Sequence, residues 1–269
     1  MDVRQPSLGP AEVYDEQFVP ALFAQWGSVV AAAAGIGPGN QVLDVACGTG
    51  ALTLAVADRV GPSGAVVGLD LNPDMLAVAR RKSSRIEWLE GAAEALPLPD
   101  RRFDAVVCQF GMMFFADPVK ALGEMWRVLR PGGQLAVAVC DAVERSPGYG
   151  ALATLLDRLF GPEVGNAFRA PFRMGDIDQV LAIAREAGLL GAEVTRRHGQ
   201  VRFRSIDALV STERACIWTL GGMLSDQQFA QLLTEARLLL QPFVAADGSV
   251  AFDMPVLLLT ARKPPGLGG

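Results

Sequence analysis

Short apolar stretches alternate with amphipathic stretches through the first half of the chain. Runs rich in β-branched residues predict strands, and apolar residues spaced three and four apart predict helices between them. One of these helices begins at Pro73, a residue favoured at the first helical position. The predicted strands are 41–46, 65–71, 85–90, 103–110 and 134–140. Strands that alternate with helices predict a mostly parallel sheet covered on both faces.

The segments outside this alternation have a different pattern. Residues 11–34 carry one apolar helical face and predict a lead-in helix that ends at Gly35. After Cys140 helical patterns dominate, with a Gly-, Arg- and Pro-rich stretch through Gly175 that predicts a loop. The later elements are predicted helices at 152–159, 177–184 and 229–240 and predicted strands at 193–203 and 250–261.

These patterns predict one α/β domain that carries a helical cap. A chain of 269 residues is too short for two ordinary domains, so we assign 1–269 to a single domain. The predicted parts are the lead-in helix 11–34, a core at about 35–144, 176–204 and 246–263, and cap insertions at about 145–175 and 205–245.

Composition narrows the class of protein. The 24 Lys and Arg do not exceed the 29 Asp and Glu, so a nucleic-acid partner is not expected. The four cysteines have no CxxC spacing and His198 is the single histidine, so we expect neither a metal site nor a disulfide framework. No basic and apolar leader and no apolar run near 20 residues is present, so we expect a cytoplasmic protein without a membrane span.

A glycine turn follows the first predicted strand. Gly48 and Gly50 allow a ligand to approach the backbone closely, and the next helix offers free amides there. The dinucleotide fingerprint requires a third glycine where this chain has Thr53, and no phosphate-loop lysine follows. The sequence therefore disfavours both kinds of pyrophosphate-binding site, the dinucleotide site and the phosphate loop.

Two acidic residues accompany this turn. Asp70 ends the second strand about 20 residues beyond the glycines, where a carboxylate can bind the two hydroxyls of a ribose. Asp44 lies inside the first strand, where burying a carboxylate is costly without a donor or a cation. A nucleoside that bears an amino group and no pyrophosphate fits both residues.

Five motifs occur in a fixed order over residues 14–140: DVACGTG, GLDLNPDMLAVAR, EGAAEALPLPD, FDAVVCQFGMMFFADPVKAL and RVLRPGG. Together they resemble the class I S-adenosylmethionine-dependent methyltransferases, particularly the ubiquinone and menaquinone methyltransferase-like group of small-molecule enzymes. The resemblance implies a Rossmann-like, doubly wound, seven-stranded, mostly parallel sheet whose last strand is antiparallel.

The resemblance also implies S-adenosylmethionine as cofactor and S-adenosylhomocysteine as product. The Gly48 and Gly50 backbone would contact the methionine part, Asp44 would order its amino group directly or through water, and Asp70 would hold the ribose. The implied cofactor contacts are Asp44, Ala46, Gly48, Gly50, Asp70, Leu71, Met75, Ala93 and Gln109.

The remaining implied contacts concern the adenine and the methionyl group. Leu71 and Met75 would pack on the adenine, the Ala93 amide would meet the ring, and Gln109 would face the methionyl group. Many relatives carry Asp or Asn where this chain has Ala92, so an acceptor for the adenine amine is missing.

The residues after the fourth strand suggest the acceptor. The run Met112 to Phe115 is apolar and pliable, which favours an apolar or aromatic acceptor, but it also suits core beneath the cap. Tyr14 suits either closure over the cofactor or anchoring of the lead-in helix. The predicted acceptor contacts are Tyr14, Phe18, Met112, Met113 and Phe114. No catalytic residue is assigned, and His198 receives no role.

We therefore predict methyl transfer to an oxygen, nitrogen or carbon nucleophile of a small apolar or aromatic molecule. Such an in-line displacement can depend mainly on proximity and exclusion of water. A non-catalytic binding or regulatory protein on the same fold is the alternative, and a nicotinamide dehydrogenase is disfavoured by Thr53. The partner expected is the small-molecule acceptor, and a homodimer is left open.

Overall fold

Nine strands form two sheets in the computed structural model, which describes residues 9–265. The first eight and last four residues of the predicted domain lie outside this range. The strands are β1 Gln41–Val45, β2 Ala65–Asp70, β3 Glu87–Glu90, β4 Phe103–Gln109, β5 Leu129–Cys140, β6 Glu193–Arg197, β7 Gln200–Phe203, β8 Val250–Asp253 and β9 Val256–Arg262.

Seven of these strands form the main sheet in the order β3-β2-β1-β4-β5-β9-β6. The pairs from β3 to β5 are parallel, and β9 lies antiparallel between β5 and β6. The predicted mostly parallel seven-stranded sheet with an antiparallel last strand is confirmed. Strand order reverses on either side of β1, which creates a crevice between the carboxyl ends of β1 and β4.

Helices cover both faces of the main sheet and form the segments predicted as cap. One begins as the sequence indicated, since Asn72 caps the helix that starts at Pro73. In another helix, the Asp117 carboxylate accepts the Lys120 amide at 2.9 Å. The helices are α1 Pro10–Val13, α2 Gly27–Ala33, α3 Ala51–Val60, α4 Pro73–Lys82, α5 Pro118–Val128, α6 Pro147–Phe160, α7 Pro162–Arg169, α8 Ile177–Glu186, α9 Ile206–Ala215 and α10 Asp226–Leu239.

The predicted lead-in helix is helical but not one α-helix. A π-helical segment, Tyr14–Phe23, and a short 3-10 turn, Ala24–Trp26, separate α1 from α2. Pro20 lies inside the π-helical segment and has no amide proton to donate, so a regular α-helix is disfavoured there. Apolar spacing alone does not separate these helix types.

Two predicted strands and one predicted loop are wrong in detail. The strand expected at 193–203 divides into β6 and β7, and that at 250–261 divides into β8 and β9. Pro255 separates β8 from β9 because it cannot donate to a ladder, and β7 and β8 pair as a separate antiparallel sheet. The loop expected before Gly175 contains α7, since Pro162 occupies a first helical position.

The helices in the predicted cap segments pack on one another and on β8 through aromatic side chains. The Tyr149 ring in α6 lies 5.1 Å from that of Phe252 in β8 and 5.7 Å from that of Phe168 in α7. Helix α10 packs against both α6 and α9. Within residues 9–265, no helix combines the length and the apolar character that crossing a membrane requires.

Candidate functional site

A cavity of about 950 Å³ opens at the carboxyl ends of β1, β2 and β4, in the crevice that strand order predicts. The strand ends contribute Ala46, Asp70, Gln109 and Phe110 to its lower wall, which we call the floor. The cap and the segment after α9 contribute the opposite wall, which we call the roof, including Tyr149 and Glu213.

Hydrogen bonds from the backbone fix the acidic residue of the floor. The Gly48 amide donates to Asp70 Oδ2 at 2.7 Å, and the Asn72 amide donates to Oδ1 at 2.8 Å. Partial burial raises the pKa of the Asp70 carboxyl and these amides oppose the rise. A carboxylate has about four acceptor positions, so Asp70 keeps two for a ligand.

Backbone strain accumulates at the same strand ends. Ala46 after β1 has a φ of 56° and Phe110 after β4 has a φ of 58°, a region that non-glycine residues rarely adopt. Gly111 has no room for a Cβ because the Ala46 side chain fills that space. Strain of this kind clusters at ligand sites and costs roughly 1–3 kcal/mol per residue.

Asp44 lies beneath the floor and is fully buried. The Thr53 hydroxyl donates to Asp44 Oδ2 at 2.6 Å, whereas Oδ1 has no hydrogen-bond partner. Burial raises the pKa of the Asp44 carboxyl to about 7, and the Thr53 hydroxyl opposes that rise. Thr53 stands where a dinucleotide fingerprint has its third glycine, and it therefore donates a hydrogen bond to the buried Asp44 carboxyl.

Gln109 links the floor to the lead-in segment. Its Nε2 donates to the Phe23 carbonyl at 3.1 Å, and its buried Oε1 has no partner. Because Gln109 lines the cavity, the free carbonyl oxygen can accept a hydrogen bond from a ligand donor.

An aromatic wall joins the floor to the roof. The Tyr14 ring stacks on Phe23 at 5.3 Å and meets Trp218 edge-on at 5.7 Å. A Cβ added to Gly48 would stand 3.8 Å from Tyr14, so this ring lies over the glycine turn. Burial raises the pKa of the Tyr14 hydroxyl, which therefore stays protonated.

Most of the residues singled out in the sequence line this cavity. Asp44, Gly50 and Met112 do not: Asp44 and Met112 are fully buried, and the Trp88 indole lies against Gly50. Met112 does not reach the cavity, so it belongs to the core, which is the second role that the sequence left open for it. The predicted residues that line the cavity are Tyr14, Phe18, Ala46, Gly48, Asp70, Leu71, Met75, Ala93, Gln109, Met113 and Phe114.

The roof contains residues that the sequence did not single out. Glu213 is 2% exposed, and burial raises the pKa of its carboxyl to about 7. Neither Glu213 Oε2 nor the Tyr149 hydroxyl has a hydrogen-bond partner of good geometry. The sequence does contain a sign of Glu213. Position 213 continues the apolar helical face formed by Ile206, Leu209 and Val210, and a charged residue is unusual on such a face.

In the part of the chain between residues 9 and 265, no group of three His, Cys, Asp or Glu side chains could hold a metal ion. His198 lies in the exposed connection between β6 and β7, not inside a strand, and it does not line the cavity.

The sheet order and the glycine turn with its acid define the Rossmann-like methyltransferase fold. The YcgJ protein of Bacillus subtilis has this fold, with a TM-score of 0.60 at 20% identity over 90% of this chain and 99% of that one. A Haemonchus contortus phosphoethanolamine N-methyltransferase 2, in complex with S-adenosyl-L-methionine, superposes with a TM-score of 0.59 at 18% identity over 94% of this chain and 56% of that one.

The family model described as the ubiE/COQ5 methyltransferase family matches residues 21–155, and the chain belongs to this family. A demethylmenaquinone methyltransferase of Thermus thermophilus is 52% identical over 102 residues, 36% of this chain and 46% of the relative. The chain spans about half the length of the curated relatives it matches.

Proposed function

We propose that this protein transfers a methyl group from S-adenosylmethionine to an oxygen, nitrogen or carbon nucleophile of a small apolar or aromatic molecule. The observation that carries the proposal is one cavity that joins the Gly48 and Asp70 floor to an aromatic roof. Its volume of about 950 Å³ lies near the top of the roughly 300–1,000 Å³ typical of ligand pockets, which leaves room for two small molecules.

The floor fits the cofactor that the family implies. Asp70 has acceptor positions left for a ribose diol, and the unpartnered Gln109 Oε1 suits an ammonium group. Asp44 Oδ1 is also unpartnered, but Asp44 is covered, so its influence on that ammonium would act through water or through its charge. Leu71 and Met75 would pack on the adenine, and Ala93 would offer its amide.

The chemistry that S-adenosylmethionine supplies when bound is an electrophilic methyl group on a positively charged sulfur. The protein's own contribution is to align an acceptor and to exclude water. Tyr14, Phe18, Met113 and Phe114 line the space between floor and roof and supply apolar surface for this purpose. Their apolar character favours an acceptor with a ring or a hydrocarbon body.

In this proposal, the helices of the cap determine which methyl acceptor binds. The family match ends at residue 155, whereas α7, α9 and α10 lie beyond it. A quinol-like aromatic acceptor, suggested by the name of the Thermus relative, is one member of the proposed class. We propose that the roof residues decide which member binds.

Labelled S-adenosylmethionine and metabolite extracts test the function. We expect a labelled small molecule with the wild-type protein and strongly reduced label with Asp70→Ala, while calorimetry shows S-adenosylhomocysteine binding to the wild type. Tight cofactor binding with no labelled product from any extract would instead support a non-catalytic binding protein.

A further inference from the structure

A carboxyl group in the roof is buried without the partners that usually accompany one. Glu213 lies in α9 and lines the cavity, yet its Oε2 has no hydrogen-bond partner. Among residues 9–265 Glu213 takes part in no ion pair. Burial of an unpaired carboxyl is costly, so a purely structural role does not account for its position.

The groups that face Glu213 are neutral. Tyr149 of α6, Cys140 of β5 and Cys216 after α9 are the titratable groups near it, and burial raises the pKa of each. Thr219 donates its hydroxyl to the Glu213 carbonyl at 3.0 Å, which fixes the turn after α9. In the described part of the chain no cation pairs with the Glu213 carboxylate, which remains available to a ligand donor.

Tyr149, in helix α6, lies next to Glu213. Its ring is buried and packs against three aromatic side chains, with the Phe168, Phe172 and Phe252 rings at 5.7, 5.6 and 5.1 Å. Because this packing fixes the ring, the hydroxyl has a defined place beside Glu213. Glu213 Oε2, the Tyr149 hydroxyl and the Thr219 hydroxyl are the polar groups of an otherwise apolar roof.

We propose that Glu213 binds the hydroxyl of a phenol-like or enol-like acceptor and takes its proton, with Tyr149 as a positioning residue. This assignment rests on the proposed methyl transfer. The acceptor O–H bond breaks and its proton passes to Glu213 Oε2, while the acceptor's electron pair forms the bond to the methyl carbon. The carbon–sulfur bond breaks with its electrons left on sulfur, and Glu213 later releases the proton to water.

The protonation behaviour of Glu213 agrees with this role. Burial raises the pKa of its carboxyl to about 7, and the nearby Thr219 and Tyr149 hydroxyls oppose the rise. A general base works best when its pKa is close to the working pH. Above pH 7 Glu213 is charged and can accept a proton, and a charged acceptor makes the stronger hydrogen bond.

A binding experiment without cofactor tests the assignment. We would titrate 2-naphthol and naphthalene, which differ by one hydroxyl, into wild type, Glu213→Gln and the matched control Glu235→Gln. Glu235 pairs with Arg158 at the surface of α10. We expect about a 10-fold preference for 2-naphthol in wild type and control, reduced to about 2-fold in Glu213→Gln with naphthalene affinity unchanged. Equal affinity for the two probes in wild type, or an unchanged preference in Glu213→Gln, overturns the proposal.

The pH dependence of binding provides a second readout. The wild-type preference for 2-naphthol should rise through pH 7, below the range where 2-naphthol itself ionises, and should be flat in Glu213→Gln. Tyr149→Phe keeps the ring and should move the midpoint to higher pH, because a neighbouring hydroxyl that favours the charged carboxylate is lost. A midpoint that stays in place in Tyr149→Phe contradicts the positioning role. This variant also keeps the test decisive if Glu213→Gln does not fold.

A transfer assay separates the two proposals. Wild-type methyl transfer that Glu213→Gln matches at every pH would refute the base and leave the function intact. A hydroxyl preference that depends on Glu213, with no transfer by wild type to any acceptor, would refute the function and leave the acceptor site intact.

Discussion

The floor and the roof of the cavity each present a carboxyl group, but the two groups are held in different ways. Asp70 accepts two backbone amides, at 2.7 and 2.8 Å, from the turns after β1 and β2. Glu213 has an oxygen atom without any partner and a neighbouring hydroxyl that is also unpaired. The floor is organised before a ligand arrives, whereas the roof retains unsatisfied hydrogen-bonding capacity.

This difference follows from how each wall is built. Backbone amides of consecutive βα turns hold the Asp70 carboxylate of the floor in a fixed position. Side chains from α6, α7 and the end of α9 form the roof, so each substitution alters it. A constant ligand suits the first construction and a variable acceptor suits the second.

The largest effect is expected beneath the floor, at Asp44. Its folded pKa of about 7 exceeds the unfolded value of 3.8, so its ionisation lowers stability progressively from about pH 4 to 7 and fully above that. Asp44→Asn should therefore raise the free energy of unfolding by about 2–4 kcal/mol at pH 8 and by almost nothing at pH 4. Urea unfolding at both pH values measures this.

Asp58→Asn is the matched control for that experiment, because Asp58 is exposed on α3. It should change stability by less than about 0.5 kcal/mol at either pH. An Asp44→Asn protein that is no more stable than wild type at pH 8 would show that the buried acid is already compensated.

The next effect concerns the floor itself. Asp70→Ala removes the acceptor of the Gly48 amide and the proposed ribose contact, so S-adenosylhomocysteine affinity should fall roughly 10- to 100-fold. Isothermal titration calorimetry measures this loss, with Asp74→Asn as control, because Asp74 is an exposed residue of α4. Unchanged affinity in Asp70→Ala would overturn the ribose assignment and with it the functional contrast between floor and roof.

Packing of the roof is tested at Gly148 in α6. A Cβ there would overlap the Phe252 ring, which packs against Tyr149. Gly148→Ala should therefore destabilise by about 1–2 kcal/mol while cofactor affinity stays unchanged. Gly123→Ala in α5 has open space around its Cβ and should stabilise by about 0.5–1 kcal/mol. Equal behaviour of the two variants would mean that the cap is loosely packed on β8.

The smallest effect is expected at the mouth of the cavity. Leu71 is 69% exposed and lines the floor. Leu71→Ala should leave stability within about 0.5 kcal/mol of wild type but weaken S-adenosylhomocysteine binding about 3- to 10-fold, since the ligand loses apolar contact. Leu238→Ala on α10 removes a similarly exposed leucine away from the cavity and should change neither quantity.

The sequence predicted the floor because its determinants are local. Apolar runs placed the strands, and Asp70 was found from its position at a strand end beyond the glycines. The strained conformation of Ala46 and the hydroxyl bond from Thr53 to Asp44 were not visible, since both depend on how two segments pack.

The roof was hidden from the sequence for the same physical reason. Glu213 continues the apolar stripe of a helix and is recognised only when Tyr149, 64 positions earlier, is seen beside it. The division of two strands depended on whether Pro255 and Gly199 interrupt a ladder, which spacing does not decide. Features that depend on contacts between distant segments of the chain were therefore not predicted from the sequence.

A crystal structure of the S-adenosylhomocysteine complex tests the separation of floor and roof most directly. We predict the sugar at Asp70, the amino-acid end near Gly48 and Gln109, and open space beside Glu213 and Tyr149. A ligand that occupies the Glu213 end, or that binds away from the carboxyl ends of β1, β2 and β4, would contradict this account.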